Sequence, residues 1–189
     1  MEVREAIRER RAVRDYTDQP VSEEAIRELI EAATLAPSAV NGQPWAFAVV
    51  QDRDVLKRIS DRSKLLLLHG DFSPQLQKTL SSPDFNIFYN AGTLIVICAK
   101  PDGEHPEWDC CLAGQNLLLA AREMGLGTCV IGLAWPALGL SEVKRDLEIP
   151  DDYEAVLPVI VGHPKDFPPG HGQKQPEILS WITAPVAAT

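Results

Sequence analysis

"LAPSAVNGQPWAF", residues 35–47, is a joint that carries more chemistry than a turn requires. The residues before it, "VSEEAIRELIEAATLA" (21–36), predict a helix. Ser22 is a good N-cap, and Glu23 and Glu24 suit a first turn. Ala25, Ile26, Leu29, Ile30, Ala33 and Leu35 repeat at helical spacing. Pro37 must stop that helix. The residues after the joint, "WAFAVVQ" (45–51), predict a buried strand. A glycine and one polar residue would turn the chain, yet the joint holds Ser38, Asn41, Gln43 and a second proline, Pro44. One reading is punctuation, with Asn and Gln satisfying turn backbone. The other is a stiff loop whose two amides read the edge of a planar heterocycle carrying both donors and acceptors.

Working outward, residues 2–11 predict a short charged helix and 53–62 another. Residues 63–90 mix leucines with Ser, Pro, Asp and Asn; they read as helical pieces and loop, a candidate lid. "TLIVICA" (93–99) is a continuous run of strand formers. "EWDCCLAGQNLLLAAREM" (107–124) predicts a helix that is apolar over much of its circumference. Such a helix is either central to the domain or part of a subunit interface. Gly125 caps it, strand 128–134 follows, then helix 140–149 and a last strand at 154–164. The tail from 165 to 189 is rich in Pro, Gly and Gln and reads as an extended arm of a single domain, 1–189. Alternating helices and strands suggest a layered arrangement.

The 189 residues suffice for one domain with a real core, and 45% hydrophobic with 24% charged residues is ordinary for a globular protein. A net charge of −9 argues against a nucleic-acid or anionic-membrane partner held by bulk charge. No apolar run approaches the ~20 residues of a membrane helix. No apolar signal region opens the chain, so a cytoplasmic protein is expected. Cys98, Cys110, Cys111 and Cys129 lie in apolar runs without CxxC spacing, which reads as buried, reduced thiols.

Against the acidic average, Arg8, Arg10, Arg11 and Arg14 crowd seven positions where the first helix ends. Arg10 and Arg14 could converge on one anion, and arginine forks suit phosphate geometry. A surface salt-bridge network is the competing reading. "GLGTCVIG" (125–132) echoes a dinucleotide fingerprint, but it follows a helix and opens a strand with the wrong spacing, so that reading is rejected. Gly132 marks a place where backbone approaches a ligand or another backbone. No metal-ligand cluster and no nucleophile with its base stands out. If the chain is an enzyme, a cofactor carries the chemistry.

"RRAVRDYTDQPVSEEAIRELIEAATLAPSAVNGQPWAFAVV" resembles the N-terminal region of the FMN-dependent nitroreductase family. "NAGTLIVICAK", "AGQNLLLAAREMGLGTCVIGL" and "LEIPDDYEAVLPVIVGHPK" resemble its later parts in the right order. The resemblance implies an α+β fold with a mixed central sheet flanked by helices. It also implies an entwined homodimer, with the C-terminal arm on the partner and FMN between the subunits. It places Arg10, Arg11 and Arg14 at the phosphate and ribityl end of FMN. Ala12 lies in the same stretch, and the family usually has serine there. Pro37, Ser38, Ala39, Asn41 and Gln43 would reach the flavin from the other subunit. Backbone near Ile131 and Gly132 would face the ring, and Lys174 would complete the phosphate site in place of a usual arginine. Ala39 stands where a second serine is common, and "NAG" (90–92) where "GAP" is common.

The activity so implied is ping-pong hydride transfer from NAD(P)H through flavin N5 to a nitroaromatic, quinone or similar electron-poor small molecule. Substrate choice would fall to residues 63–92. The alternatives on the same scaffold are reductive dehalogenation, flavin breakdown, heterocycle oxidation or non-catalytic flavin binding.

Overall fold

The apolar run at 93–99 forms the strand around which the fold is built. In the computed structural model, which describes residues 1–170 and 172–183, β2 (Thr93–Ala99) is buried at every position. β1 (Trp45–Val50) pairs with it on one side and β4 (Glu154–Gly162) on the other. β3 (Gly127–Val130) adds to β4, giving the order β1-β2-β4-β3. All three pairings are antiparallel. The parallel part of the expected mixed sheet is reduced to one bridge, Ala12 to Thr128, at the β3 edge.

Period-two alternation along β2 divides the core. Ile95, Ile97 and Ala99 face a layer made by α2 (Glu23–Thr34) and α5 (Pro106–Glu123), where Leu29, Ala33, Leu117 and Ala121 are fully buried. Leu94, Val96 and Cys98 face the opposite layer, where Leu56 and Ile59 of α3 (Arg53–Leu67) meet Leu138 of α6 (Trp135–Leu138) and Val143 of α7 (Ser141–Asp146). Helices on both faces explain why β2 reads as an unbroken apolar run. α1 (Val3–Glu9) lies by the C-terminal end of α5, tied there by Arg122 to Glu9 and by the Met1 ammonium to Glu123 at 3.0 Å.

Several boundaries differ from the sequence reading: the helix expected at 140–149 is only Ser141–Asp146, and the last strand ends at Gly162 rather than 164. α1 stops at Glu9 because Arg10 takes an extended conformation and begins a segment that runs beside β3. β3 stops at Val130, and Gly132–Ala134 form a short 3-10 turn leading into α6. α3 continues to Leu67, so region 63–90 opens with its last turn before α4 (Pro74–Ser81). The inner half of that region is fixed to the core. Leu80, Ile87 and Phe88 are fully buried. Lys64 Nζ donates to the carbonyls of Ser82 (2.7 Å) and Phe85 (2.8 Å), and Ser60 Oγ accepts from Ile87 N at 3.1 Å.

α5 buries one stripe, Cys110, Ala113, Gly114, Leu117, Leu118 and Ala121. A Cβ at Gly114 would collide with Leu157, so glycine lets the helix lie close on β4. Its other face leaves Trp108, Cys111 and Leu112 exposed. Three cysteines are buried as expected, and Cys111 is not. Burial pushes the Cys98 thiol up to about 11 and the Cys110 thiol up to about 12.

Leu117→Ala should lower stability by ~2–5 kcal/mol, read as a lower urea midpoint at unchanged slope. At pH 8 the native protein should hide Cys98, Cys110 and Cys129 from a thiol reagent, and unfolding should release them.

Candidate functional site

The segment after α1 is extended, so successive side chains point to opposite sides. Val13 N donates to Thr128 O at 2.9 Å, and Val13 packs where Gly127 has no side chain. Tyr16 Oη donates to Val13 O at 2.7 Å, and burial pushes its phenol far above the ordinary value. These bonds fix the stretch 10–16 on the β3 edge. Burial raises the Cys129 thiol on β3, and the charges of Arg14 and Arg10 only partly oppose it. Arg14 also stands 5.8 Å from the centroid of the Tyr89 ring. Neither arginine has a carboxylate partner among the described residues, and Arg10 is half-buried. Ala12 sits between them, with its backbone bridged to Thr128. Arg11 points elsewhere: its Nη1 donates to the carbonyls of Arg8 and Arg10.

The joint 37–43 is strained. Val40 (φ 46°), Asn41 (φ 58°) and Gln43 (φ 47°) all occupy the left-handed region, while Gly42, which could do so freely, does not. A β-branched residue there is unusual, and each such residue costs on the order of 1 kcal/mol or more. Local bonds hold the shape: Gln43 N donates to Ser38 Oγ at 3.0 Å, and Gln43 Nε2 to Asn41 Oδ1 at 3.1 Å. One tertiary bond anchors it. The buried carboxylate of Asp109, in the first turns of α5, accepts from Ala39 N at 3.2 Å. Sequence reasoning missed Asp109, since an acidic residue near a helix start reads as dipole compensation. Pro37, Asn41 and Gln43 are exposed.

These two groups do not meet within one chain. The loop sits by Asp109 and enters β1 at Trp45, opposite Ala99. The arginine segment sits by Thr128, opposite Val161, at the end of α5 marked by Arg122. Asp109 and Arg122 are about 20 Å apart at the helical rise of ~1.5 Å per residue. The loop and the arginines also flank opposite edge strands, so they occupy diagonal corners of the sheet.

Ile131 and Gly132 follow β3 and therefore belong with the arginine corner. Ile131 N donates to Pro158 O at 2.9 Å, Ile131 is buried, and Gly132 is exposed. A Cβ at Gly132 would make only ordinary contact with Trp135, so nothing within the chain demands glycine there. Tyr89 and Asn90, also left-handed, join this corner through Arg14. Lys174 lies on the exposed stretch 172–183. The arginine corner therefore offers two guanidinium forks and exposed backbone, and the loop corner offers amides and a hydroxyl. That donor set suits a ligand with an anionic tail and a planar, hydrogen-bonding head.

The model of the Nitroreductase family matches residues 7–163. The chain is 36% identical over 162 residues to the "Putative NADH dehydrogenase/NAD(P)H nitroreductase" of Archaeoglobus fulgidus, covering 83% of this chain and 82% of that one. It is 30% identical over 175 residues to the FMN reductase [NAD(P)H] of Bacillus subtilis, covering 87% and 67%. A crystal structure of a nitroreductase with bound FMN from Desulfitobacterium hafniense superposes with a TM-score of 0.80 at 27% identity, covering 92% and 95%.

Asp109→Ala should release the loop while leaving the sheet intact, because a charge-assisted bond of ~1.5–3 kcal/mol is lost. Amide hydrogen exchange over residues 36–43 should accelerate at least about tenfold, and Asp109→Asn should show a smaller change.

Proposed function

The chain belongs to the nitroreductase family, and from that premise we propose that it is an FMN-dependent oxidoreductase. It takes electrons from NAD(P)H and passes them, in alternating half-reactions, to a small electron-poor acceptor such as a nitroaromatic or a quinone. The working unit is a cytoplasmic homodimer with FMN between the subunits. The observation that carries this reading is the diagonal separation of two complementary half-sites, which a two-fold pairing of chains would bring together.

When bound, FMN supplies the two-electron redox chemistry that no side-chain constellation of the chain provides. The protein's work is binding and orientation. Arg10 and Arg14 hold the phosphate end. Arg14 is kept in place by Tyr89, and both arginines meet the anion without a competing carboxylate. Ile131 and Gly132 present backbone beside the ring, and the absent side chain at Gly132 leaves room for close approach. From the second copy come Pro37, Ser38, Ala39, Asn41 and Gln43. Gln43 Nε2 already occupies Asn41 Oδ1, which leaves the Asn41 amide N–H groups as donors to the flavin. The backbone N–H of Ala39 is committed to Asp109, so Ala39 lends position rather than a hydrogen bond. Lys174 supplies a further positive charge from the arm. Acceptor choice falls to α4 and the turns around Tyr89–Asn90.

Exposed apolar surface supports the dimer. Val40 is 83% exposed, Leu35 78%, Trp108 67% and Leu112 46%, all on or near the outward side of α5. Ile178, Leu179, Trp181 and Ile182 of the arm are also exposed. Large apolar side chains left this exposed are consistent with a surface that another chain covers.

After incubation with FMN and desalting, the protein should retain flavin absorption, which anaerobic NADH or NADPH should bleach. Retention without bleaching would leave a flavin-binding protein, and no retention would overturn the reading. Arg10→Met with Arg14→Met should weaken FMN by at least about tenfold, as should Asn41→Ala with Ser38→Ala. Mixing those two inactive chains should restore about a quarter of the sites, because a heterodimer has one intact site and one doubly damaged site. If one chain supplied both halves, mixing would restore none.

A further inference from the structure

Arg11 is one of the arginines at the flavin corner in sequence, yet its surroundings belong to a different part of the molecule. Two side-chain polar atoms are buried without a hydrogen-bond partner among the described residues, Arg11 Nε and Arg122 Nε. Both stand where the C-terminal arm begins. Arg122 bonds Glu9 of α1, and its guanidinium carbon lies 3.8 Å from the centroid of the Phe167 ring. Arg11 spends Nη1 on the carbonyls of Arg8 and Arg10, at the C-terminal end of α1. Its Nη2 lies against Gly170, where any Cβ would overlap it. The intervening chain is tied down as well. Lys165 N donates to Asp15 O at 3.1 Å, and Lys165 Nζ pairs with the Asp15 carboxylate at 2.9 Å. Residues 165–170 are thus laid across the ends of α1 and α5 by two guanidinium planes, and past them residues 172–183 are exposed.

We infer that Arg11 is a positioning residue, a latch that seats the root of the C-terminal arm on the end of α1, and not a ligand of the flavin phosphate. Arg11 turns its Nη1 back onto the carbonyls of Arg8 and Arg10, whereas no such bond holds the guanidinium of Arg10 or Arg14 among the described residues. A fork whose Nη1 already holds two carbonyls and whose Nε is buried has no free edge for a bidentate anion. Gly170 is the matching half of the latch: the guanidinium takes the space of its side chain. Lysine would keep donors for the two carbonyls, as Lys64 does for Ser82 and Phe85, but it lacks the planar amino group that stands against Gly170. The latch sets where the arm leaves the domain and therefore where Lys174 can reach. This contrast with Arg10 rests on the FMN reading; the latch itself does not.

The test uses the full chain with Arg11→Met, Arg11→Lys, Gly170→Val and Arg10→Met. Amide hydrogen exchange over residues 164–170 is measured without flavin. The ratio of riboflavin to FMN dissociation constants is measured separately, since the two ligands differ only by the phosphate. Arg11→Met, Arg11→Lys and Gly170→Val should each speed exchange at 164–170 by about tenfold or more. All three should lower the riboflavin-to-FMN ratio by the same small factor, about threefold or less, through the displaced Lys174, while Arg10→Met should collapse it by about tenfold or more. Unchanged exchange in Arg11→Met and Gly170→Val would overturn the latch. A ratio that collapses in Arg11→Met but not in Gly170→Val would return Arg11 to the phosphate. A parent chain that binds neither flavin would sink the FMN reading, and exchange alone would then decide the latch. Gly170→Val keeps the test readable if the Arg11 variants fold poorly, since Gly170 is exposed.

Discussion

The length of α5 sets the distance between the two halves of the candidate site. The helix lies along one face of the sheet from the loop corner, where Asp109 accepts from Ala39 N–H, to the arginine corner, where Arg122 donates to Glu9. Neither end can shift without lifting the stripe Cys110, Ala113, Leu117 and Ala121 off the sheet. Gly114 reinforces this, because its missing side chain lets the helix press on Leu157. A rigid spacer of about 20 Å thus holds apart groups that suit a single ligand. In the proposed homodimer, the outward apolar surface of the same helix is where a second chain would reunite them.

The loop corner shows how strain is held in place. Three non-glycine residues in the left-handed region raise the energy of the loop by several kcal/mol in the order of magnitude expected for such conformations. A buried carboxylate is itself expensive to desolvate. The two liabilities offset each other: Asp109 gains a hydrogen bond and the nearby helix terminus, and the loop gains an anchor. Internal bonds among Ser38, Asn41 and Gln43 complete the shape before any ligand arrives. A preformed wall loses less entropy on binding than a mobile one.

At the other corner the backbone decides what each arginine does. In a continuing helix, Arg10 and Arg14 would lie one turn apart with Arg11 beside them. Because α1 ends at Glu9 and the chain runs extended against Thr128, the side chains alternate instead. Arg14 lies beside the Tyr89 ring, and Arg11 faces the root of the arm. In the proposed reading the arginine-rich sequence thereby splits into two jobs, anion binding and support of the arm.

Much was legible in the sequence because it depends on short-range rules. Ser22 caps α2 as its position suggests, accepting from Ala25 N at 3.2 Å, and β2 is buried on both faces as its unbroken apolar run requires. Pro37 and Pro44 do bracket an irregular, amide-bearing loop, and family membership follows from motifs in order along the chain. The sequence determined these because capping, periodicity and proline sterics act within a few residues. What only the tertiary structure decided depends on contacts between distant segments. The antiparallel order β1-β2-β4-β3 arises because β4, last in the chain, inserts between β2 and β3. The burial of Asp109 under Ala39, 70 residues away, has no local signature. The same is true of Arg11, whose neighbour Gly170 reaches it only after the whole domain has folded between them.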